Sequence, residues 1–358
     1  MDSVVTTSSK TVFLVGENGQ GKTNFLEALY YCVYASSFRG AHDSEIAQNE
    51  TKDFSVKITA TDNFTMRNVC GEVFVKFEKN KKSIFVDGKK TEDRKELLSA
   101  VPCIVFCHED MDFVKGSPEK RRWFFDQVLS LYDSAYLEDL RCYRRAIRSR
   151  NIVLKDNIKQ KLDGNPKALL DTLDRQCAFY GIKLMEKRYT AARLFSDVFA
   201  PLYNEVSDIS GMTIKYTPSW KSYNEEESFN WLLRRRLIDM AAGISLTGPH
   251  RDRYNFTIGK TDFVTNASTG QRRLLALLLR VSQARRFSEM TGRKPVLLLD
   301  DVLLEMDGEK RRRFLSVLPG YDQAFFTFLP EEPFYQYQRD DTLVYRVKNG
   351  RIEAENGV

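Results

Sequence analysis

The sequence predicts an α/β protein, with a sheet-containing lobe interrupted by a helical one. Three observations carry this. A short apolar run, Thr11 to Val15, leads into a glycine-rich loop and then residues at helical spacing. A second apolar run, Val296 to Leu299, ends in two aspartates near the far end of the chain. Between them, from Ser117 to about Asp208, the pattern is helical and highly charged.

Each element follows in order. Phe25, Leu26, Leu29 and Val33 mark the first helix, and Ser36 to Gly40 marks the loop after it. Phe54 to Ala60, Gly71 to Glu78 and Lys82 to Val86 alternate apolar with polar residues, as half-buried strands do, and Asp87-Gly88 supplies a hairpin turn. Ile104 to Phe106 reads as a buried strand. Glu119 to Lys155 places Phe124, Val128, Leu131, Leu140, Tyr143 and Ile147 near one helical stripe. Pro166 opens a second long helix, with Leu169, Leu173, Cys177, Tyr180 and Leu184 on its stripe. Two long helices of opposite direction would form an arm. Thr213 to Tyr216 is a short strand and Glu225 to Met240 a further helix. The expected division is 1–110 for the first part of the sheet lobe, 111–244 for the helical lobe and 245–358 for the second part.

Composition sets bounds. The chain has 358 residues, 42% of them hydrophobic, which sustains a core and excludes global disorder. Lys+Arg 55 against Asp+Glu 49 gives +6, which permits nucleic-acid binding without requiring it. Cys32, Cys70, Cys103, Cys107, Cys142 and Cys177 form no paired framework; Cys103, Cys107 and His108 lack a fourth metal ligand, so buried free thiols in a reducing compartment are expected. No apolar run reaches the length of a membrane span, and Met1 to Lys10 is unlike a secretory signal.

The chemistry is concentrated in three places. Gly16-Glu17-Asn18-Gly19-Gln20-Gly21-Lys22-Thr23 fits the phosphate-loop pattern, in which backbone N–H groups turn toward a phosphate, the lysine reaches the β- and γ-phosphates and the threonine hydroxyl ligates Mg²⁺. Val296 to Asp301 supplies the acidic partner: Asp300 would hold Mg²⁺ and Asp301 would orient or deprotonate an attacking water. Ser268-Thr269-Gly270-Gln271 opens a strongly apolar helix and forms a second anion-binding helix start, where Ser268, Gly270 and Gln271 could close the outer face of a γ-phosphate. The plain alternative is that Ser268 only caps a core helix. Basic clusters at Lys120 to Arg122, Arg144-Arg145, Arg148 with Arg150, Arg234 to Arg236 and Lys310 to Arg313 suit either a solvated helix face or a phosphate backbone.

The order of the motifs adds to this. Gly16 to Ala28, Lys115 to Pro118 with Arg121-Arg122, Thr247 to Asp252, Ser268 to Gln271 and Leu297 to Val302 resemble, in sequence order, the bacterial RecF recombination proteins. The resemblance runs from about Val12 to the C-terminus. It implies an ABC-type P-loop ATPase head with an inserted helical lobe, related to Rad50 and SMC heads but with no long coiled coil. It implies ATP and Mg²⁺ as ligands and an ATP-dependent homodimer. In that dimer each ATP lies between the loop residues of one subunit and Ser268 to Gln271 of the other. It further implies binding to double-stranded DNA and gap junctions, work with RecR and RecO, an indirect role toward RecA, a cytoplasmic location and no membrane. Asp301 takes the place of a transporter glutamate and Thr327 that of a switch histidine, so slow hydrolysis is expected. RecF proteins usually carry a longer strand pair before the phosphate loop, which Met1 to Lys10 does not match, and Arg253 and Arg272 stand where a second aspartate and a second glutamine are common. His250 and Arg251 are expected near the nucleotide or the lobe junction, or on a polar turn. The alternatives are a P-loop small-molecule kinase, for which the second helix start and late aspartate pair are superfluous, or another ABC-type ATPase that does not act on DNA.

Overall fold

The computed structural model describes residues 4–7, 9–47, 53–60, 71–92, 96–97, 100–156, 165–304 and 306–355. Cys70 lies outside them. The chain divides into two compact units, Met1–Asp110 with Leu277–Val358, and Met111–Ala276.

The first unit holds β1 (Thr11–Val15), α1 (Lys22–Tyr34), β2 (Phe54–Thr59), β3 (Glu72–Glu78), β4 (Lys81–Val86), β5 (Lys89–Thr91) and β6 (Cys103–Phe106). The second unit holds α2 (Pro118–Tyr132), α3 (Ser134–Asp156), α4 (Asn165–Ser207), β7 (Met212–Thr217), α5 (Glu225–Ala242), β8 (Arg253–Ile258) and β9 (Thr261–Asp262). The unit boundary falls within α6 (Thr269–Thr291). β10 (Val296–Leu299), α7 (Gly308–Val317), β11 (Ala324–Phe328), β12 (Thr342–Lys348) and β13 (Arg351–Ala354) complete the first unit.

The central sheet runs β13-β12-β1-β11-β10-β6, parallel except for the β12–β13 hairpin. β1, β6 and β11 are buried at every residue, as strands covered on both faces are, which explains their unbroken apolar runs. The register sets Leu14 beside Thr327 and Leu299 beside both Phe326 and Phe106. The C-terminal ends of β1, β6, β10 and β11 therefore open on one edge, where ligands bind in α/β sheets. The antiparallel sheet β2-β3-β4-β5 packs on α1: Tyr31, Cys32 and Ala35 face Val73 and Val75, while Leu26, Tyr30 and Val33 face the central sheet.

In the second unit the stripe from Glu119 to Lys155 belongs to two helices, not one. Asp133 ends α2 by donating its N–H to the Leu129 carbonyl, and its Oδ1 accepts from Tyr136 N at 2.8 Å to cap α3. α3 and α4 are antiparallel, as the ion pairs Asp133–Lys187, Asp139–Lys183 and Arg150–Asp174 step in opposite directions along them. On α4, Leu173, Cys177 and Leu184 are buried, whereas Leu169 is half exposed. The chain returns to the first unit at Leu277 and not at 245, because β8 pairs with β7, and β9 with β8, in a sheet of the second unit. Cys32, Cys103, Cys107 and Cys177 are buried free thiols and Cys142 is partly exposed. Among the described residues no group of three or more His, Cys, Asp or Glu side chains is gathered as a metal site, and no helix is long and apolar enough to cross a membrane.

Candidate nucleotide-binding site

The loop Gly16–Thr23 turns from β1 into α1 at the open edge of the central sheet. Gly16 is required sterically, since a Cβ there would lie 2.3 Å from the Val347 carbonyl oxygen. Gly21 precedes α1 with φ 111°, a conformation other residues avoid. Glu17, Asn18 and Gly19 are exposed at the loop's crest, and Gln20 anchors its side. The Gln20 side chain accepts from Asn349 N at 2.7 Å, and its carbonyl accepts from Gly350 N at 2.9 Å. The β12–β13 turn thus braces the loop, a contact with no local sequence signal.

Lys22 is 4% exposed, and its ammonium donates to the carbonyls of Gly16 at 2.6 Å and Glu17 at 3.0 Å. The cation is held inside the loop's curl by the loop's own backbone.

The acidic half lies at the end of β10. Asp300 N donates to Phe106 O at 2.9 Å, which fixes the residue across the strand end. The Thr23 hydroxyl donates to Asp300 Oδ1 at 3.0 Å, so the two predicted metal-site residues meet although 277 positions separate them. Thr327 joins the aspartates: its hydroxyl accepts from Asp301 N at 2.8 Å and lies 3.2 Å from Asp300 Oδ1 and 3.0 Å from Asp301 Oδ1. One hydroxyl proton can serve only one carboxylate at a time. Asp301 takes the left-handed conformation, φ 49°, which turns the chain directly after the strand. Burial pushes the Asp300 carboxyl up to about 6, with the Asp301 charge adding to the rise and the Thr23 and Thr327 hydroxyls opposing it. A buried carboxylate beside a second one is a place where a cation is missed electrostatically.

Further polar groups surround this edge. Glu27 is buried in α1 and is bound by Arg39 and Ser37, while Arg39 also donates to Asn24 Oδ1 at 3.0 Å. Asp110 accepts two bonds from Arg280, at 3.0 and 2.8 Å, and one from Cys107 N at 3.0 Å, which secures the end of β6. Glu332 Oε2 accepts from Leu329 N at 2.8 Å, and burial pushes its carboxyl up.

Ser268, Thr269 and Gly270 are exposed and Gln271 is half buried, all in the second unit. Ser268 Oγ accepts from Gln271 N at 3.2 Å while Gln271 Oε1 accepts from Ser268 N at 2.8 Å, a reciprocal capping box. An added Cβ on Gly270 would meet nothing within 4 Å, so this helix start faces open space. The apolar body of α6 is buried through Leu274, Leu275, Leu277 and Leu278.

The Thr247 to Asp252 block serves the second unit's interior. Asp252 is fully buried; it accepts from Arg188 Nη1 at 2.9 Å, Ser219 N at 2.8 Å and the Tyr216 hydroxyl. His250 Nδ1 lies 2.8 Å from the Tyr143 hydroxyl and Nε2 lies 3.0 Å from Ser245 O. Several basic clusters also point inward. Arg121 donates to Val114 O and Tyr254 O, Arg122 to Asp252 O, and Arg150 and Arg236 are buried on Asp174. Arg145, Arg148, Arg234 and Arg312 remain exposed.

Comparison with known proteins identifies the family. The family model described as RecF/RecN/SMC N terminal domain matches residues 2–352. The DNA replication and repair protein RecF of Treponema pallidum (strain Nichols) is 44% identical over 346 residues, covering 96% of this chain and 94% of that one. The chain belongs to the RecF family. The RecF protein of Lachnoclostridium phytofermentans is 30% identical, covering 97% of this chain and 94% of its own. The solved structure titled recombination mediator protein RecF-ATP in RecFOR pathway superposes with TM-score 0.84 at 26% identity, covering 98% of this chain and 93% of the other. The RecF fold, a mixed α/β head with a helical lobe and, among the described residues, no long coiled coil, is therefore the fold of this chain.

Proposed function

We propose that the chain is an ATP-dependent DNA-binding protein of recombinational repair, working as a dimer that ATP closes. The observation that carries the reading is the meeting of Thr23 and Asp300 at 3.0 Å beside a loop whose first glycine tolerates no side chain. The residues suit ATP and Mg²⁺: the loop presents backbone N–H groups, and Asp300 carries a charge that burial penalises. A bound Mg²⁺ would supply positive charge to offset that of the triphosphate. Gly16 to Thr23 bind the triphosphate, with Lys22 turning its ammonium from its two carbonyls toward the β- and γ-phosphates. Thr23 and Asp300 would hold the metal. Asp301 orients the attacking water and accepts its proton, while Thr327 holds the Asp301 backbone. Asp301 is one methylene shorter than the glutamate of transporter ATPases, so turnover is slow and ATP acts as a timed clamp.

Ser268, Gly270 and Gln271 of a second copy close the γ-phosphate. Their exposure on a capped helix start supports this, because a helix N-terminus offers N–H groups and positive potential. The names of relatives support DNA repair, and the RecFOR pathway of the solved relatives supports RecR and RecO as partners. Family membership supports extending the reading to double-stranded DNA with gap junctions, assistance to RecA loading and a cytoplasmic site.

Solution mass with and without ATP and Mg²⁺ tests the reading. Wild type is expected to dimerise only with nucleotide, and Lys22→Met to stay monomeric. Equal association in both proteins would reject the clamp.

A further inference from the structure

We propose that the second unit carries a stacking site for an unpaired base of single-stranded nucleic acid, in the cavity between the loop 218–224 and the first turns of α5. The inference deepens the DNA-binding reading and rests on it. The cavity is about 450 Å³, within the size range of small-ligand pockets, and its lining includes Ser219, Trp220, Lys221, Ser228, Trp231 and Arg234. Two lining residues are buried yet incompletely paired. Trp220 is 3% and Ser228 2% exposed, and neither the indole N–H nor the hydroxyl has a hydrogen-bond partner. The Trp220 ring is fixed from behind, because its six-membered edge packs on Gly181 so closely that a Cβ there would lie 2.6 Å away. A base edge carries carbonyl and ring-nitrogen acceptors of the kind such donors lack.

The rim has the other half of the chemistry. Trp231 is 43% exposed, with the Arg235 guanidinium 5.6 Å from its ring centroid. Tyr223 and Tyr189, also exposed, form a ring pair with centroids 6.4 Å apart beside the same loop. Lys221 and Arg234 line the cavity, and neither has an ion-pair partner among the described residues. Exposed rings alternating with free cations are what a flexible strand requires, with bases on the rings and phosphates on the cations. Paired bases cannot use this cavity, since their faces are covered by neighbours in the stack. The site therefore distinguishes the single-stranded side of a junction from its duplex side.

The test is fluorescence anisotropy of an end-labelled oligothymidine of about 15 nucleotides, a length suited to such sites, without nucleotide. The comparators are an abasic strand of equal length and a blunt duplex. Wild type is expected to prefer the thymidine strand to the abasic one. Trp231→Ala should weaken the thymidine strand about 5- to 100-fold, leaving the abasic strand and the duplex unchanged, while Trp231→Phe retains most of the affinity. Equal binding of abasic and thymidine strands by wild type, or an unchanged affinity in Trp231→Ala, would overturn the proposal. Because Trp231 is exposed, a thermal melt of Trp231→Ala should match wild type. Loss of duplex binding with ATP present would instead count against the DNA reading itself, so the two failures are separable.

Discussion

The edge of the central sheet and the interior of the helical unit both bury charge, but they do so in opposite ways. In the helical unit Arg188 is 2% exposed, and its guanidinium donates to Asp126, Tyr136, Pro249 O and Asp252. Asp126 and Asp252 each accept further bonds, so every charge faces its complement. At the sheet edge, Asp300 and Asp301 stand side by side, sharing one threonine, while Lys22 rests on backbone carbonyls. Complementary burial holds a fold, whereas like charges gathered in one place anticipate a ligand.

The sharpest way to break the contrast is Arg188→Met. Removing one partner from a buried pair leaves Asp126 and Asp252 uncompensated and should cost about 3–5 kcal/mol in denaturant unfolding. A loss below about 1 kcal/mol, the level of a surface pair, would show that the network is not structural. The counterpart is Lys22→Met, which should weaken ATP-driven association on the order of 100-fold, in keeping with the loss of a phosphate contact, while its unfolding curve overlays wild type.

Acid should act on the two regions with opposite sign. Burial pushes His250 down to about 4 from its ordinary 6.5, with its Nε2 contact to Ser245 O opposing the shift. The unfolded chain then binds the proton first, so stability is present above pH 6.5 and lost as pH falls toward 4, by about 3 kcal/mol. Asp300 is raised, so its charge penalises the nucleotide-free fold above about pH 6, and the penalty fades as pH falls toward 3.8. His250→Gln should flatten the first dependence, and Asp300→Asn should raise stability at pH 8 by about 1–2 kcal/mol. Unfolding free energies of both variants across pH 4 to 8 check the pair of signs, and an unchanged slope in His250→Gln contradicts the first. The smallest effect is expected at Ser268→Ala, about 1 kcal/mol from the lost cap, measured by thermal melt without nucleotide.

What the sequence disclosed follows the same division. β1, the phosphate loop and α1 are contiguous, so the pattern of one short segment contains the geometry. β10 ends at Leu299, just before Asp300, because an apolar run meeting two carboxylates cannot continue as a buried strand. The break at Asp133 was hidden because neither glycine nor proline marks it, and a side-chain cap does the work. The role of Thr247 to Asp252 was hidden because its partners, Tyr143, Arg188 and Tyr216, are far away in the chain. Runs of arginine misled for a related reason: within Arg234 to Arg236, one residue is exposed and another is buried on Asp174. Glu332 and the Asn349-Gly350 brace carried no pattern, since single residues on late turns have no period to detect.

A mixing experiment addresses the trans-subunit clamp most directly. Lys22→Met spoils the gripping face of a chain, and Ser268→Arg spoils its sealing face. Each variant alone should neither associate with ATP nor hydrolyse it. Mixed, they form dimers in which one of the two nucleotide sites combines an intact Lys22 with an intact Ser268, and ATP turnover should reappear. Two folded, separately silent variants that stay silent together would contradict the account.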